Sequence, residues 1–281
     1  MSARGLRGWK PAALGAVAVA LALAVALSLG GQGPHGAVIP QPGERDVTSW
    51  TPAGAKPLSD RRSAALVSRA PETRTDNRAA NDYVPSDRQL AEFHGQAREA
   101  SHGNYNPLTA DVTGRPGIAH PSTDDLIQWV SHKWGIPTGW IRAQMEVESS
   151  WRQGALGDRA AVATSTLARY PRFSRVPGQG AAYESVGIAQ VKWAPDGTVG
   201  AGTEPLRWES TAFDLDYYAA TVRYYYDGYC GWCSRGYRAG ERWNSIGAWF
   251  APQPWANGDA RGYVRAVRAA LAGRRWSSPG F

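Results

Sequence analysis

The 281 residues suffice for one substantial domain with extra segments or for two small domains, and a formal net charge of +7 with an isoelectric point near 9.6 disfavours a cationic partner. Nucleic acid, acidic lipid and an acidic cell-wall polymer all remain open on charge alone. Thirteen Trp and twelve Tyr against five Phe supply flat apolar faces with polar edges, which suit sugars as well as bases and membrane interfaces.

Arg4, Arg7 and Lys10, with no acid among the first ten residues, precede a run without charge from Pro11 to Leu29, the pattern of an export signal. Such a run spans roughly 28 Å as a helix, close to the hydrocarbon thickness of a bilayer, which favours a retained anchor. Ala26-Leu27-Ser28 also offers a small-x-small cleavage site. Either outcome keeps the positive end inside and places the rest beyond the membrane, anchored or secreted to the cell wall. Gly30 to about Ser86 is rich in Pro, Gly, Ser, Arg and Asp without a sustained apolar period, and reads as a disordered linker. A short helix around Asp87 to Ala100 has only Leu90, Phe93 and Ala97 to bury. The expected plan is therefore a signal peptide or membrane anchor over 1–30, a largely disordered linker over 31–119 and a folded domain over 120–281.

Regular patterning begins where Ser122 caps a helix with Asp124 and Asp125 in its first turn, Leu126, Ile127, Val130 and Trp134 on one face, and Gly135 as its stop. A second helix runs from about Pro137 to Trp151. After Trp151 a long segment of Gly, Ala, Arg and Pro reaches about Tyr183 and reads as a loop or lid. Ser210 caps a helix whose face includes Ala212, Leu215, Ala219, Val222 and Tyr226. Glu241 to Phe250 carries Trp243, Ile246 and Phe250, and a last helix shows Tyr263, Val267, Ala270 and Leu271 before Gly273. No alternating run reads as a strand, so the domain is expected to be mainly α. The tyrosines at 217, 218, 224, 225 and 226 read as packing before they read as a glycan platform.

The second helix holds the candidate chemistry. At ~100° per residue Ile141, Met145 and Glu148 share one narrow arc, while Glu146 falls on the opposite, polar side. A carboxyl among apolar side chains resists ionisation, which suits a proton donor near neutral pH. The bland alternative is a helix carboxylate paired with Arg142 or Arg152.

Met145-Glu146-Val147-Glu148-Ser149-Ser150-Trp151 resembles the Glu-Ser motif of the lytic transglycosylases in the goose-type lysozyme-like superfamily. Glu184-Ser185-Val186-Gly187-Ile188-Ala189-Gln190-Val191 resembles that family's Gly-Leu-Met-Gln motif, Ser245-Ile246-Gly247-Ala248-Trp249-Phe250 its Ala-Tyr-Asn motif, and Asp259 to Val267 its late acid-to-tyrosine segment. The resemblance covers about Ser122 to Leu271 and implies a lysozyme-like helical domain. It implies Glu148 as the single general acid/base, Ser149 supporting its position, Gln190 lining the glycan groove, and Trp249 and Tyr263 flanking the cleavage site. The implied reaction breaks the bond between N-acetylmuramic acid and N-acetylglucosamine and leaves a 1,6-anhydro end, formed by the sugar's own C6 hydroxyl. Such an attack removes the need for the second carboxylate of ordinary glycosidases. The implied partner is peptidoglycan rather than nucleic acid, with no cofactor or metal. Ala189, Trp249 and Phe250 stand where the family commonly has Met, Tyr and Asn, which motivates a competing reading as a non-catalytic glycan-binding component. Asp158 or Glu184, if it enters the groove, would instead permit lysozyme-like hydrolysis.

Cys230-Gly231-Trp232-Cys233 has thioredoxin-type spacing but follows a helix and lacks a strand-helix-strand context. In an exported chain with two cysteines it reads as a structural disulfide that pins a local turn, with thiol oxidoreduction as the competing reading. The five histidines show no zinc-ligand spacing near it.

Overall fold

The structure, a computed structural model, describes residues 46–99, 105–159, 183–194, 199–231, 233, 236–251 and 258–281. Along the chain run α1 (Asp60–Ala64), α2 (Arg78–Asn81), α3 (Asp87–Arg98), α4 (Thr123–Trp134) and α5 (Thr138–Ser149). Three short strands follow, β1 (Leu156–Arg159), β2 (Tyr183–Val186) and β3 (Val191–Lys192). Then come α6 (Leu206–Glu209), α7 (Thr211–Tyr226), α8 (Arg242–Phe250) and α9 (Gly258–Gly273). The fold is mainly helical, as the periodicities imply.

Helix α4 starts on a capping box. The Ser122 hydroxyl accepts from Asp125 N at 3.1 Å while the Asp125 carboxylate accepts from Ser122 N at 2.9 Å. It stops at Gly135, whose φ of 62° is left-handed and whose Cβ, if present, would stand 2.1 Å from Thr51 Oγ1. Ser210 caps α7 by accepting from Phe213 N at 3.2 Å. This helix is buried almost all round, so it is the central rod against which α4, α6 and α8 pack, and α9 in turn packs on α5 and α8. Tyr218, Tyr224, Tyr225 and Tyr226 are buried in it, which settles those tyrosines as packing.

The structure departs from the sequence expectations in three places. First, residues 46–99 and 105–119 are not linker. Trp50, Leu90, Phe93 and Val112 lie in the main core, where Phe93 meets Phe213 edge-on at 5.0 Å. Two buried cations clamp this stretch to the helices. Lys133 Nζ contacts Asp216 at 2.8 Å and Asp60 at 2.7 Å, and Arg142 contacts Asp124 at 2.7 Å and Asp46 at 2.5 Å. Removing one partner of such a buried pair costs about 3–5 kcal/mol, so the folded unit begins well before residue 120. Isolated apolar residues inserted into a core built by distant helices leave no period to read. The remainder of the expected linker, 31–45 and 100–104, and the apolar run 11–29 lie outside the described residues; among the described residues no helix is long and apolar enough to cross a membrane.

Second, a sheet is present. β2 pairs antiparallel with β1 and with β3, with Leu156 opposite Val186 and Val186 opposite Val191. Strands of two to four residues are too short to display alternation. Third, Glu146 is buried at 9% exposure, because the turn Arg275–Ser277 with its buried Trp276 covers the supposedly polar side of α5. Desolvation raises the Glu146 pKa, opposed by Arg275 at 3.7 Å. Most of the expected loop after Trp151, residues 160–182, lies outside the described residues.

Candidate active site

Glu148 sits in the last turn of α5, and the chain leaves that helix through two consecutive left-handed residues, Ser150 (φ 52°) and Trp151 (φ 63°). A bulky residue there is strained by on the order of 1 kcal/mol or more. Trp151 is held by burial to 2% exposure, by its indole N–H donating to Arg142 O at 3.0 Å, and by its N–H donating to Met145 O at 3.2 Å. Asn77 props the same turn from the N-terminal segment, donating to Trp151 O at 2.7 Å and accepting from Gln153 N at 2.8 Å. Nothing in the local pattern around Asn77 marks it as a prop, since the two backbone groups it holds in this turn lie more than seventy residues away.

The four motif stretches converge on Glu148. Ser149 Oγ donates to Ile188 O at 2.8 Å, and the Trp249 indole donates to Ala189 O at 3.1 Å, so α5 and α8 grip the turn between β2 and β3 from two sides. The buried Asp214 of α7 grips it from a third, accepting from Ala189 N at 3.1 Å, while Ile188 N donates to Gln153 Oε1 at 3.2 Å. Gly187 (φ 88°) lets this carboxylate approach, since a Cβ there would lie 2.2 Å from Asp214 Oδ2 and 2.5 Å from Arg207 O. Asp214 escaped the sequence reading because its carboxylate serves a backbone turn that becomes its neighbour only through the fold. Burial drives its pKa well up, and the nearby Glu148 charge adds to that rise.

Tyr263 of α9 donates its hydroxyl hydrogen to Glu148 Oε1 at 2.5 Å. Phe250, half exposed, stacks on the Tyr263 ring at 5.1 Å, and Trp249 meets Tyr218 edge-on at 5.0 Å. Gln190 turns its amide inward, donating to Gly187 O at 2.8 Å and Ala155 O at 3.3 Å, so it braces the hairpin beside the acid. Ser149, Gln190, Trp249 and Tyr263 are thus all gathered around Glu148 or around the turn that faces it.

The Glu148 carboxyl is pushed up to about 8, first by desolvation, with the field of Asp158 adding to the rise. Tyr263 and the Trp249 indole work the other way by favouring the carboxylate. Glu148 makes no ion pair among the described residues. Arg142 is committed to Asp124 and Asp46 and not to Glu148. At neutral pH a group of this acidity is about 90% protonated, and it can give a proton and take one back. On the hairpin, Asp158 (φ 48°) accepts from Ser185 Oγ at 2.8 Å, and Lys192 reaches Glu184 at 2.9 Å and Asp158 at 3.6 Å.

Cys230 and Cys233 are joined in a disulfide packed with Tyr224, Tyr225 and Ala248. Among the described residues no group of His, Cys, Asp or Glu is arranged to hold a metal ion. No family model, no curated protein and no solved structure matches the chain.

Proposed function

We propose that the chain is a peptidoglycan lytic transglycosylase in which Glu148 is the single general acid/base. The observation that carries this reading is a carboxyl with no ion pair among the described residues, pushed up to about 8, with one oxygen held by Tyr263, at the meeting point of four sequence stretches that each resemble a motif of that family. In the proposed reaction protonated Glu148 gives its hydrogen to the glycosidic oxygen between N-acetylmuramic acid and N-acetylglucosamine as the C1–O bond breaks. The carboxylate left behind removes the proton from the C6 hydroxyl, whose oxygen closes on C1 to give the 1,6-anhydro ring. Glu148 ends protonated, so one residue serves both halves and water is not consumed.

The half-exposed Phe250, stacked on Tyr263, and the partly exposed Trp249 offer aromatic surface near the acid, which suits the apolar faces of pyranose rings. The net charge of +7 favours dwelling on an anionic wall, and the basic start followed by an apolar run supports export, with the domain anchored to the membrane or released to the wall. A second reading, hydrolysis with a lysozyme-like outcome, is favoured by Asp158, whose charge acts on Glu148 and which could direct a water from the hairpin side.

The test is incubation with purified peptidoglycan. The wild type should release soluble glycan fragments and Glu148→Gln, equally folded, should release none. Strand binding without release, equally strong in both proteins, would instead identify a non-catalytic glycan-binding component.

A further inference from the structure

Behind Glu148 runs a chain of three hydrogen bonds, and two of its members, Gln144 and Tyr218, have no role in the proposed reaction. The Tyr218 hydroxyl donates to Gln144 Oε1, Gln144 Nε2 donates to the Tyr263 hydroxyl at 2.9 Å, and Tyr263 donates to Glu148 Oε1 at 2.5 Å. Gln144 and Tyr218 are fully buried and Tyr263 is 7% exposed, so water does not substitute for a missing partner.

The chemistry of the amide gives this chain a direction. A phenol can donate or accept, whereas the two ends of a glutamine amide are fixed as one acceptor and one double donor. Among the described residues the Tyr218 hydroxyl has only Gln144 as acceptor, so the amide must turn Oε1 toward Tyr218 and Nε2 toward Tyr263. The Tyr263 oxygen then receives an N–H, and its own hydrogen is left to point at Glu148. Turning the amide over would leave the Tyr218 hydrogen buried without an acceptor, a cost of about 1–3 kcal/mol.

We propose that Gln144 and Tyr218 are positioning residues that hold Tyr263 as an obligate donor to Glu148 Oε1, so that the acid carries its transferable proton on Oε2. This rests on the reading of Glu148 as the general acid/base. Once Oε2 has given up its proton, the carboxylate already has a donor oriented toward it and needs no reorganisation to be stabilised. Gln144 lies one helical turn before Glu148 on α5, and Tyr218 lies on the central helix, so both are held by packed elements.

The test compares Tyr218→Phe, which keeps the ring and loses the donor, with Gln144→Met, which keeps bulk and loses both amide functions. Each variant should lower kcat about tenfold with KM nearly unchanged, the loss expected of one hydrogen bond to a charged group. Losing a donor that favours the carboxylate should also move the high-pH limb of activity upward by about one pH unit. The double variant should be no slower than the worse single one, because the chain acts as a unit. A merely structural role would lower thermal stability in folded variants while leaving the pH limb and kcat in place, and that result would overturn the proposal. Titration of the 13C-labelled Glu148 carboxyl reads the same rise without any turnover. A missing rise there sinks the chain itself, whereas absent product from the folded wild type sinks only the assigned reaction.

Discussion

Replacing Glu148 by Gln should make the protein more stable at alkaline pH, and the size of the effect follows from the carboxyl's surroundings. In the unfolded chain the group titrates near 4.5, and in the folded protein near 8. The sign is set by the raised folded value. Below about pH 4.5 both states hold the proton and nothing is lost, whereas between 4.5 and 8 the unfolded state releases its proton and the folded state does not. Stability therefore falls as pH rises through that window and levels off above about 8. The full displacement corresponds to a ceiling of about 5 kcal/mol, and because the side chain keeps partial contact with solvent we expect about 2–3 kcal/mol in practice. The amide introduced by Glu148→Gln can still accept from Tyr263 through its own oxygen, so the two proteins should be nearly equal at pH 4.5 and should diverge with pH. At roughly 2–4 °C per kcal/mol for a domain of this size, the variant should melt roughly 4–12 °C higher at pH 8.5. Urea unfolding of both proteins from pH 4.5 to 9 measures this. Parallel stability curves would show that the Glu148 carboxyl ionises normally, and the basis for assigning it as an acid would be gone.

Three further outcomes follow from the same geometry. Asp158→Asn removes a negative charge that raises the Glu148 pKa, so the high-pH limb of peptidoglycan release should move downward, opposite to the shift expected for Tyr218→Phe; initial rates from pH 6 to 10 decide it. Asn77→Ala leaves Trp151 O and Gln153 N without their buried partner and should cost about 2–4 kcal/mol in denaturant unfolding, with product release reduced further than the loss of folded protein explains. Gly187→Ala forces a Cβ against Asp214 and the Arg207 carbonyl at a left-handed position, so it should cost about 2–4 kcal/mol and abolish release; a stable, active variant would show that the turn is free to shift.

Much of the helical framework is legible in the chain because its signals are local. The Ser122 box with Asp125, the Gly135 stop, the Ser210 cap and the stripe carrying Glu148 each need only a few adjacent residues to act. What escapes the sequence depends on partners brought together by folding. Glu146 lies on the side of α5 opposite the apolar arc and is polar by any periodicity, yet the chain returns roughly 130 residues later, at Arg275–Ser277, to cover it. Trp50, Phe93 and Val112 look isolated because their core is supplied by α4 and α7, and the short helices around them have little apolar surface of their own. Within the site, Glu148, Ser149, Gln190, Trp249 and Tyr263 stand out through motif resemblance. Asn77, Gln144, Asp214 and Tyr218 do not, since each acts on another protein group whose identity only the fold reveals.

The most direct measurement is digestion of purified peptidoglycan in 18O-enriched water, with mass spectrometry of the released ends. Catalysis by Glu148 alone with the C6 hydroxyl as nucleophile predicts muramic ends lighter by one water and free of 18O. Reducing ends carrying 18O would contradict it and assign hydrolysis, and no release from the folded wild type would contradict glycan cleavage altogether.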